Sequence, residues 1–124
     1  MYAGTLNASM SQDQDHNLFF WLIKNTTIEK PHLVVWLNGR VTSLFGLFEE
    51  NGPIKIARNG TGPDDFVVGL RPEGSWLEHA DLLYLDQPVG VGFSYGNSVL
   101  GRIDDAAKEF IRFLDMFLRK FPEY

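Results

Sequence analysis

One apolar run and the turn after it constrain the fold of this chain more than any other feature. Residues 33–37 read Leu-Val-Val-Trp-Leu, and Asn38-Gly39 follows directly. A short apolar run that includes β-branched residues is typical of a strand buried on both faces, as in a parallel sheet covered by helices. Such a run is too short to span a membrane. Because α/β sheets usually present ligand-binding groups just beyond the carboxyl end of a strand, Asn38 and Gly39 are candidate site residues.

The rest of the pattern alternates strands with helices, which predicts an α/β fold. Further strands are predicted at 2–6, 18–23 and 82–85, a short helix at 43–50 and a long helix at about 103–121. We expect strand 82–85 to lie beside strand 33–37, parallel to it and equally buried. A polar loop joins 18–23 to 33–37, so these two strands are expected to pair antiparallel. Between the buried strands, 54–57 is expected as an edge strand and 66–68 as a stretch tucked into a loop.

The long helix is predicted from an apolar stripe with three- and four-residue steps. Its members are Ile103, Ala107, Phe110, Leu114, Phe117 and Phe121. Acidic residues lie in the first turn and basic residues in the last, which suits the helix dipole.

Composition excludes several classes of function. The net charge is −5 with no basic patch, which argues against nucleic acid as a partner. Cysteine is absent, so no disulfide framework or thiolate metal site is expected, and we predict no cofactor and no metal. That absence ordinarily indicates an intracellular protein. Glycosylation sequons at Asn7, Asn25 and Asn59 indicate the secretory pathway instead, although no signal-peptide pattern is present at the N-terminus.

Four blocks of residues resemble the N-terminal part of a serine carboxypeptidase. In order they are Trp-Leu-Asn-Gly at 36–39, Gly-Leu at 46–47 with Glu-Asn-Gly-Pro at 50–53, Asp-Gln-Pro-Val-Gly-Val-Gly-Phe-Ser-Tyr at 86–95, and Phe-Pro-Glu at 121–123. The resemblance runs from Tyr2 to the last residue. It implies one partial domain, 1–124, that forms the incomplete N-terminal portion of an α/β-hydrolase sheet with flanking helices.

The same resemblance implies an activity and a location. The family consists of secretory-pathway enzymes, found in lysosomes, vacuoles or outside the cell, that remove single residues from peptide C-termini. The opening Met-Tyr-Ala-Gly and the blocks at 86–88 and 121–123 look most like the pheromone-processing branch, which removes Lys and Arg. The expected partner is therefore the C-terminus of a peptide.

The resemblance assigns Asn38, Gly39 and Glu50 to the site that binds the terminal carboxylate of the substrate. An amide N–H and a protonated Glu can each donate a hydrogen bond to a carboxylate. From the residues alone, the alternative is that Asn38-Gly39 is an ordinary turn and Glu50 a surface carboxylate. Arg40 stands where the family has a glycine whose N–H belongs to the oxyanion hole. Its loop is two residues shorter, so this donor is expected to be misplaced.

The serine carboxypeptidase resemblance also bears on two structural residues. Ser75-Trp76 resembles a Ser-Trp pair of the family, which implies that the Trp76 indole lies in the core. Residues 92–96 match the nucleophile elbow Gly-x-Ser-x-Gly, but we interpret Ser94 as structural. An elbow joins a strand directly to a helix, whereas this motif is separated from both.

No catalytic residue is predicted in this chain. In the family the nucleophile lies in a Gly-Glu-Ser-Tyr-Ala-Gly motif after Phe-Pro-Glu, and these 124 residues do not contain it. His16, His32 and His79 all precede that point, whereas the catalytic histidine of such hydrolases follows the nucleophile. Two hypotheses follow: a piece of an active serine carboxypeptidase, or a non-catalytic pseudoenzyme or truncated binding fragment.

Overall fold

The computed structural model describes residues 1–29, 32–39 and 42–124. Its main sheet contains β1 (Tyr2–Asn7), β2 (His16–Ile23), β3 (His32–Leu37), β6 (Ala80–Leu85) and the short β7 (Tyr95–Gly96). A separate hairpin consists of β4 (Ile54–Arg58) and β5 (Phe66–Leu70). The helical segments are a π-helical turn (Gly46–Glu50), a 3₁₀ turn (Trp76–Glu78) and the long helix α1 (Ile103–Lys120). The predicted α/β class is confirmed.

The order of the main sheet is β1-β2-β6-β3. Strand β6 runs parallel to β3, with Leu37 opposite Leu85, so the predicted parallel neighbours are confirmed. The predicted pairing of β2 with β3 is wrong, because β6 lies between them and pairs antiparallel with β2. Every residue of β6 is buried, which explains its central place.

The predicted burial of β3 on both faces is wrong as well. Its inner residues are only half-buried, and Leu37 at its end is 43% exposed. Among the described residues, β3 pairs with β6 alone. An apolar run predicts a strand, but how deeply the strand is buried depends on what lies on either side of it.

Helix α1 packs on the main sheet through aromatic side chains. The rings of Phe113 and Phe117 lie 5.9 and 5.6 Å from that of Phe20 on β2. The predicted bounds hold to within one residue. Four members of the predicted stripe lie in the core or pack against it, namely Phe110, Leu114, Phe117 and Phe121, whereas Ala107 is exposed. Ile103 is 86% exposed, whereas Phe113 and the acidic Glu109 are fully buried. The prediction therefore extended the stripe too far toward the start of the helix and left out Phe113 and Glu109.

The region between the π-helical turn and β6 departs from expectation in two places. The strand expected at 54–57 is present as β4, but it pairs with β5 in a separate hairpin. The stretch expected to be tucked into a loop forms β5, with Phe66 53% and Val68 69% exposed. Trp76, expected in the core, is 45% exposed and packs edge-on against Trp36 with ring centres 5.2 Å apart. None of the helices in the described ranges is long and apolar enough to cross a membrane.

Candidate functional site

Asn38 and Glu50 meet beyond the carboxyl end of β3. Asn38 Nδ2 donates a hydrogen bond to Glu50 Oε2 at 2.7 Å, and Trp36 Nε1 donates to the same oxygen at 2.9 Å. Asn38 is buried, whereas Glu50 at the end of the π-helical turn is exposed. Two fixed N–H donors therefore hold one oxygen of a carboxylate that faces solvent. Within the described ranges, Glu50 Oε1 has no protein donor.

Trp36 was missed as a site residue. Residues two apart on a strand point to the same face, so the positions of Trp36 and Asn38 at the end of β3 already indicated a shared environment. That period of two was the signal that could have identified it.

Gly46 fixes the orientation of the Asn38 amide. Its N–H donates to Asn38 Oδ1 at 3.2 Å, so the Nδ2 of that amide must face Glu50. A Cβ at this position would lie 2.5 Å from Trp36 Cδ1 and 2.6 Å from Asn38 Oδ1. Only glycine allows the turn to approach β3 this closely. The Gly46-Leu47 block therefore has a steric role in the site.

Asp86 joins two loops at the same end of the sheet. This fully buried carboxylate accepts from Ser43 N at 2.6 Å and Thr42 Oγ1 at 2.9 Å through Oδ1, and from Phe93 N at 2.9 Å through Oδ2. It thereby anchors the segment that follows Gly39. The predicted oxyanion position, Arg40, lies outside the described residues.

Ser94 has no free hydroxyl group to offer. The side chain is 4% exposed, and its Oγ donates to the Asp86 carbonyl at 2.6 Å and accepts from Phe19 N at 2.7 Å. Gly92, with φ of 55°, lies so close to the Asp86 carboxylate that a side chain would collide with it. These contacts are those of a structural turn, as the sequence interpretation held.

The three histidines occupy unrelated positions. His32 and His79 are exposed, whereas His16 is fully buried. His16 Nδ1 lies 2.5 Å from Glu109 Oε1, and its Nε2 lies 2.8 Å from Ser98 Oγ. Sequence reasoning missed this pair, since nothing local links two residues 93 positions apart.

The ends of β3 and β6 open into one space, as expected for parallel neighbours. A cavity of about 450 Å³ is bordered there by Asn38, Gly39, Gln87 and Pro88, together with the start of α1. In the described part of the chain, no group of three or more His, Asp or Glu side chains is arranged to hold a metal ion.

The three sequons differ in their surroundings. Asn7 and Asn59 are exposed, the latter directly after β4. Asn25 is half-buried, and its Nδ2 donates to the Leu77 carbonyl at 2.6 Å. Glycosylation at each of them stays a prediction.

Several known proteins are similar to this chain in sequence. A sequence model of the serine carboxypeptidase family matches residues 1–124. The pheromone-processing carboxypeptidase kex1 of Penicillium rubens is 40% identical over 129 residues, which cover 100% of this chain and 20% of that protein. Its namesake in Ogataea parapolymorpha is 38% identical over 134 residues, covering 99% of this chain and 20% of the relative.

A crystal structure gives the same picture. That of the prohormone-processing carboxypeptidase Kex1Δp of Saccharomyces cerevisiae superposes with a TM-score of 0.79 at 29% identity, covering 98% of this chain and 28% of that one. The chain thus spans about a fifth of the length of the curated relatives it matches. Because the family's sequence model accounts for all of its residues, the chain belongs to the serine carboxypeptidase family.

Proposed function

We propose that the chain forms the part of a serine-type carboxypeptidase that binds the terminal carboxylate of a peptide substrate. The contact of Asn38 and Trp36 with Glu50 carries this proposal, since it gathers hydrogen-bonding groups at the solvent-facing carboxyl end of β3. Membership of the serine carboxypeptidase family supports it, as do relatives whose names describe pheromone-processing carboxypeptidases.

Recognition would use both residues of the pair. An Asn amide carries two hydrogens, and Glu50 takes only one of those on Asn38. The second is available for a carboxylate of the ligand. Two carboxylates in contact are stable only if they share a proton, so a peptide end beside Glu50 would bind best at acidic pH.

Cleavage through an acyl-enzyme would need reacting groups other than the serine and histidine described above. Ser94 Oγ is committed to Asp86 and Phe19, and His16 is buried against Glu109. In this proposal the chain supplies recognition, and the nucleophile and its base come from outside these 124 residues.

A second candidate function is peptide binding without cleavage. The residue that favours it is Arg40, which replaces the glycine expected at the oxyanion donor. The same Asn38–Glu50 pair would then capture a peptide end as a binding module.

The proposal is tested with an N-acetylated peptide that carries either a free C-terminal carboxylate or an amide. We expect the acid to bind the chain at about pH 5 and the amide to bind at least about tenfold more weakly, because the amide cannot share a proton with Glu50. Glu50→Ala should abolish the preference. Glu49→Gln is the matched control, since Glu49 is an exposed neighbour of Glu50 outside the contact. Equal binding of acid and amide would contradict the proposal.

We also propose passage through the secretory pathway, supported by family membership and by the exposed sequon at Asn59. The chain, expressed in yeast behind a secretion signal, should lose mass on treatment with an N-glycosidase. Asn59→Gln should remove part or all of that loss. A secreted chain that the glycosidase leaves unchanged would argue against sugar at Asn59.

A further inference from the structure

Arg71 anchors the backbone of the π-helical turn that carries Glu50. Its Nε donates to the Gly52 carbonyl at 2.8 Å and its Nη2 donates to the Phe48 carbonyl at 2.8 Å. The backbone N–H of Arg71 adds a bond to the Pro53 carbonyl at 2.7 Å. The last carbonyls of a helical turn lack partners of their own, and here the guanidinium fork satisfies that of Phe48 within the turn and that of Gly52 just beyond it.

The two carbonyls that Arg71 holds flank Glu50. Phe48 lies two residues before Glu50 and Gly52 two residues after, so the fork fixes the backbone on both sides. Among the described residues Arg71 forms no salt bridge, so its guanidinium group is bound by these two backbone carbonyls. Arg71 is half-buried, which strengthens such charge-assisted bonds.

Tyr84 provides a second anchor from the central strand β6. Its hydroxyl donates to Asn51 Oδ1 at 2.8 Å, and the ring is fully buried. Asn51 is the residue directly after Glu50, and its carbonyl also accepts from Trp76 N at 2.9 Å. Burial raises the pKa of Tyr84, so the phenol remains a neutral donor.

Glu50 needs such support because its own side chain is exposed. Packing does not fix an exposed carboxylate, and the bonds from Asn38 and Trp36 form only if the backbone places it within reach. We propose that Arg71 and Tyr84, which do not touch that carboxylate, are positioning residues that hold Glu50 against Asn38 and Trp36. The inference rests on the proposed function of this contact as a carboxylate-binding site.

The indole N–H resonances of the chain report the position of Glu50 without any ligand. Of the three tryptophans, Trp36 bonds to Glu50, whereas the buried Trp21 Nε1 has no partner in the described structure and serves as an internal reference. Glu50→Ala defines the resonance of a Trp36 indole that has lost its acceptor. Trp36→Phe identifies the signal.

Arg71→Met should move the Trp36 resonance at least halfway to its position in Glu50→Ala, while the Trp21 resonance stays in place. Arg71→Lys keeps the charge but cannot reach two carbonyls, and it should give an intermediate shift. Tyr84→Phe should move the resonance in the same direction. Arg58→Met is the control, because Arg58 lies on the β4–β5 hairpin and faces the Phe66 ring; it should move neither resonance.

Peptide binding provides the second measurement. Arg71→Met should weaken binding of the free-acid peptide at least about tenfold, with a smaller loss for Arg71→Lys. A folded Arg71→Met chain whose Trp36 resonance equals that of the unmodified chain would overturn the inference. If Arg71→Met does not fold, Tyr84→Phe decides, and an unchanged Trp36 resonance there overturns it. If the unmodified chain does not bind the peptide, the proposed function fails, whereas the Trp36 shifts still decide the positioning.

Discussion

Glu109 Oε1 on α1 lies 2.5 Å from His16 Nδ1 on β2, and both side chains are fully buried. Glu109 Oε2 also accepts from Val89 N at 3.3 Å, so one carboxylate joins the helix, the start of β2 and the loop after β6. Ser98 occupies the other ring nitrogen of His16. The contact therefore connects three segments that are distant in the chain.

Removing one partner should be costly. Glu109→Ala leaves His16 buried without its acceptor, and we expect the free energy of unfolding to fall by about 3–5 kcal/mol. Asp115→Ala is the matched control, since Asp115 lies on the same helix in an exposed pair with Arg119 and should cost only about 0.5 kcal/mol. Urea unfolding measures both. Similar small losses in the two variants would show that the buried pair is dispensable.

Ser94→Ala tests the structural role of the serine in the elbow-like motif. The change leaves the Phe19 N–H of β2 without its side-chain acceptor and the Asp86 carbonyl without the Ser94 donor, so we expect a loss of about 1–3 kcal/mol. Ser11→Ala, at an exposed position, should change stability by less than about 0.5 kcal/mol. A Ser94→Ala chain as stable as the original would contradict this interpretation.

The 124-residue chain should not react with a fluorophosphonate probe or hydrolyse an activated ester. Ser94 is buried, and its hydroxyl group is engaged in two hydrogen bonds. The buried histidine of the described ranges, His16, contacts Glu109 and Ser98 and not Ser94. Labelling is followed by mass spectrometry on the chain and on Ser94→Ala. Labelling that disappears in the variant would establish Ser94 as a nucleophile, while labelling that persists would point to another serine.

Gly46→Ala should disrupt the candidate site by steric overlap. The added methyl group meets Trp36 and Asn38, and overpacking of this kind costs about 1–3 kcal/mol. Gly69→Ala is the control, since a Cβ there meets nothing within 4 Å. Unfolding and peptide binding are measured together. Retention of full peptide affinity by Gly46→Ala would separate this glycine from the site.

Alkaline pH should destabilise the chain through Tyr84. Burial raises the pKa of Tyr84 above its ordinary value of 10.0. Above about pH 10 the unfolded state loses this proton while the folded state retains it, so the free energy of unfolding falls as pH rises further. Below that pH both states are protonated, and the dependence vanishes.

Tyr84→Phe should therefore flatten part of the decline above about pH 10 in urea unfolding. Tyr124, whose pKa is raised by burial and by its hydrogen bond to Asp81, should account for much of the remainder. Tyr95→Phe, at a 55% exposed position, is the control and should leave the decline unchanged. An equal effect of the Tyr84 and Tyr95 variants would refute the assignment.

The local sequence pattern predicted where strands and helices lie better than it predicted which strands pair with each other. Strand β6 could be predicted because its apolar run is uninterrupted, but its place between β2 and β3 could not, since no residue of a strand specifies its partner across a long loop. The resemblance to serine carboxypeptidases assigned Asn38 and Glu50 to the same site. Arg71 was out of reach, because its bonds go to carbonyls 19 and 23 residues away, and any residue supplies a carbonyl.

The central position of β6 also sets an order on folding. Strands β1 and β2 form a local hairpin, with Leu6 opposite Leu18, that can close early. The pairs Phe20–Leu85 and Val34–Leu82 instead close long loops. Neither β2 nor β3 can therefore form these pairs before β6 is available. During synthesis, the inner edges of both strands remain unpaired until residue 85 has left the ribosome. Over that interval the nascent chain presents two open strand edges, and unpaired edges of this kind are the sites at which partly folded chains aggregate.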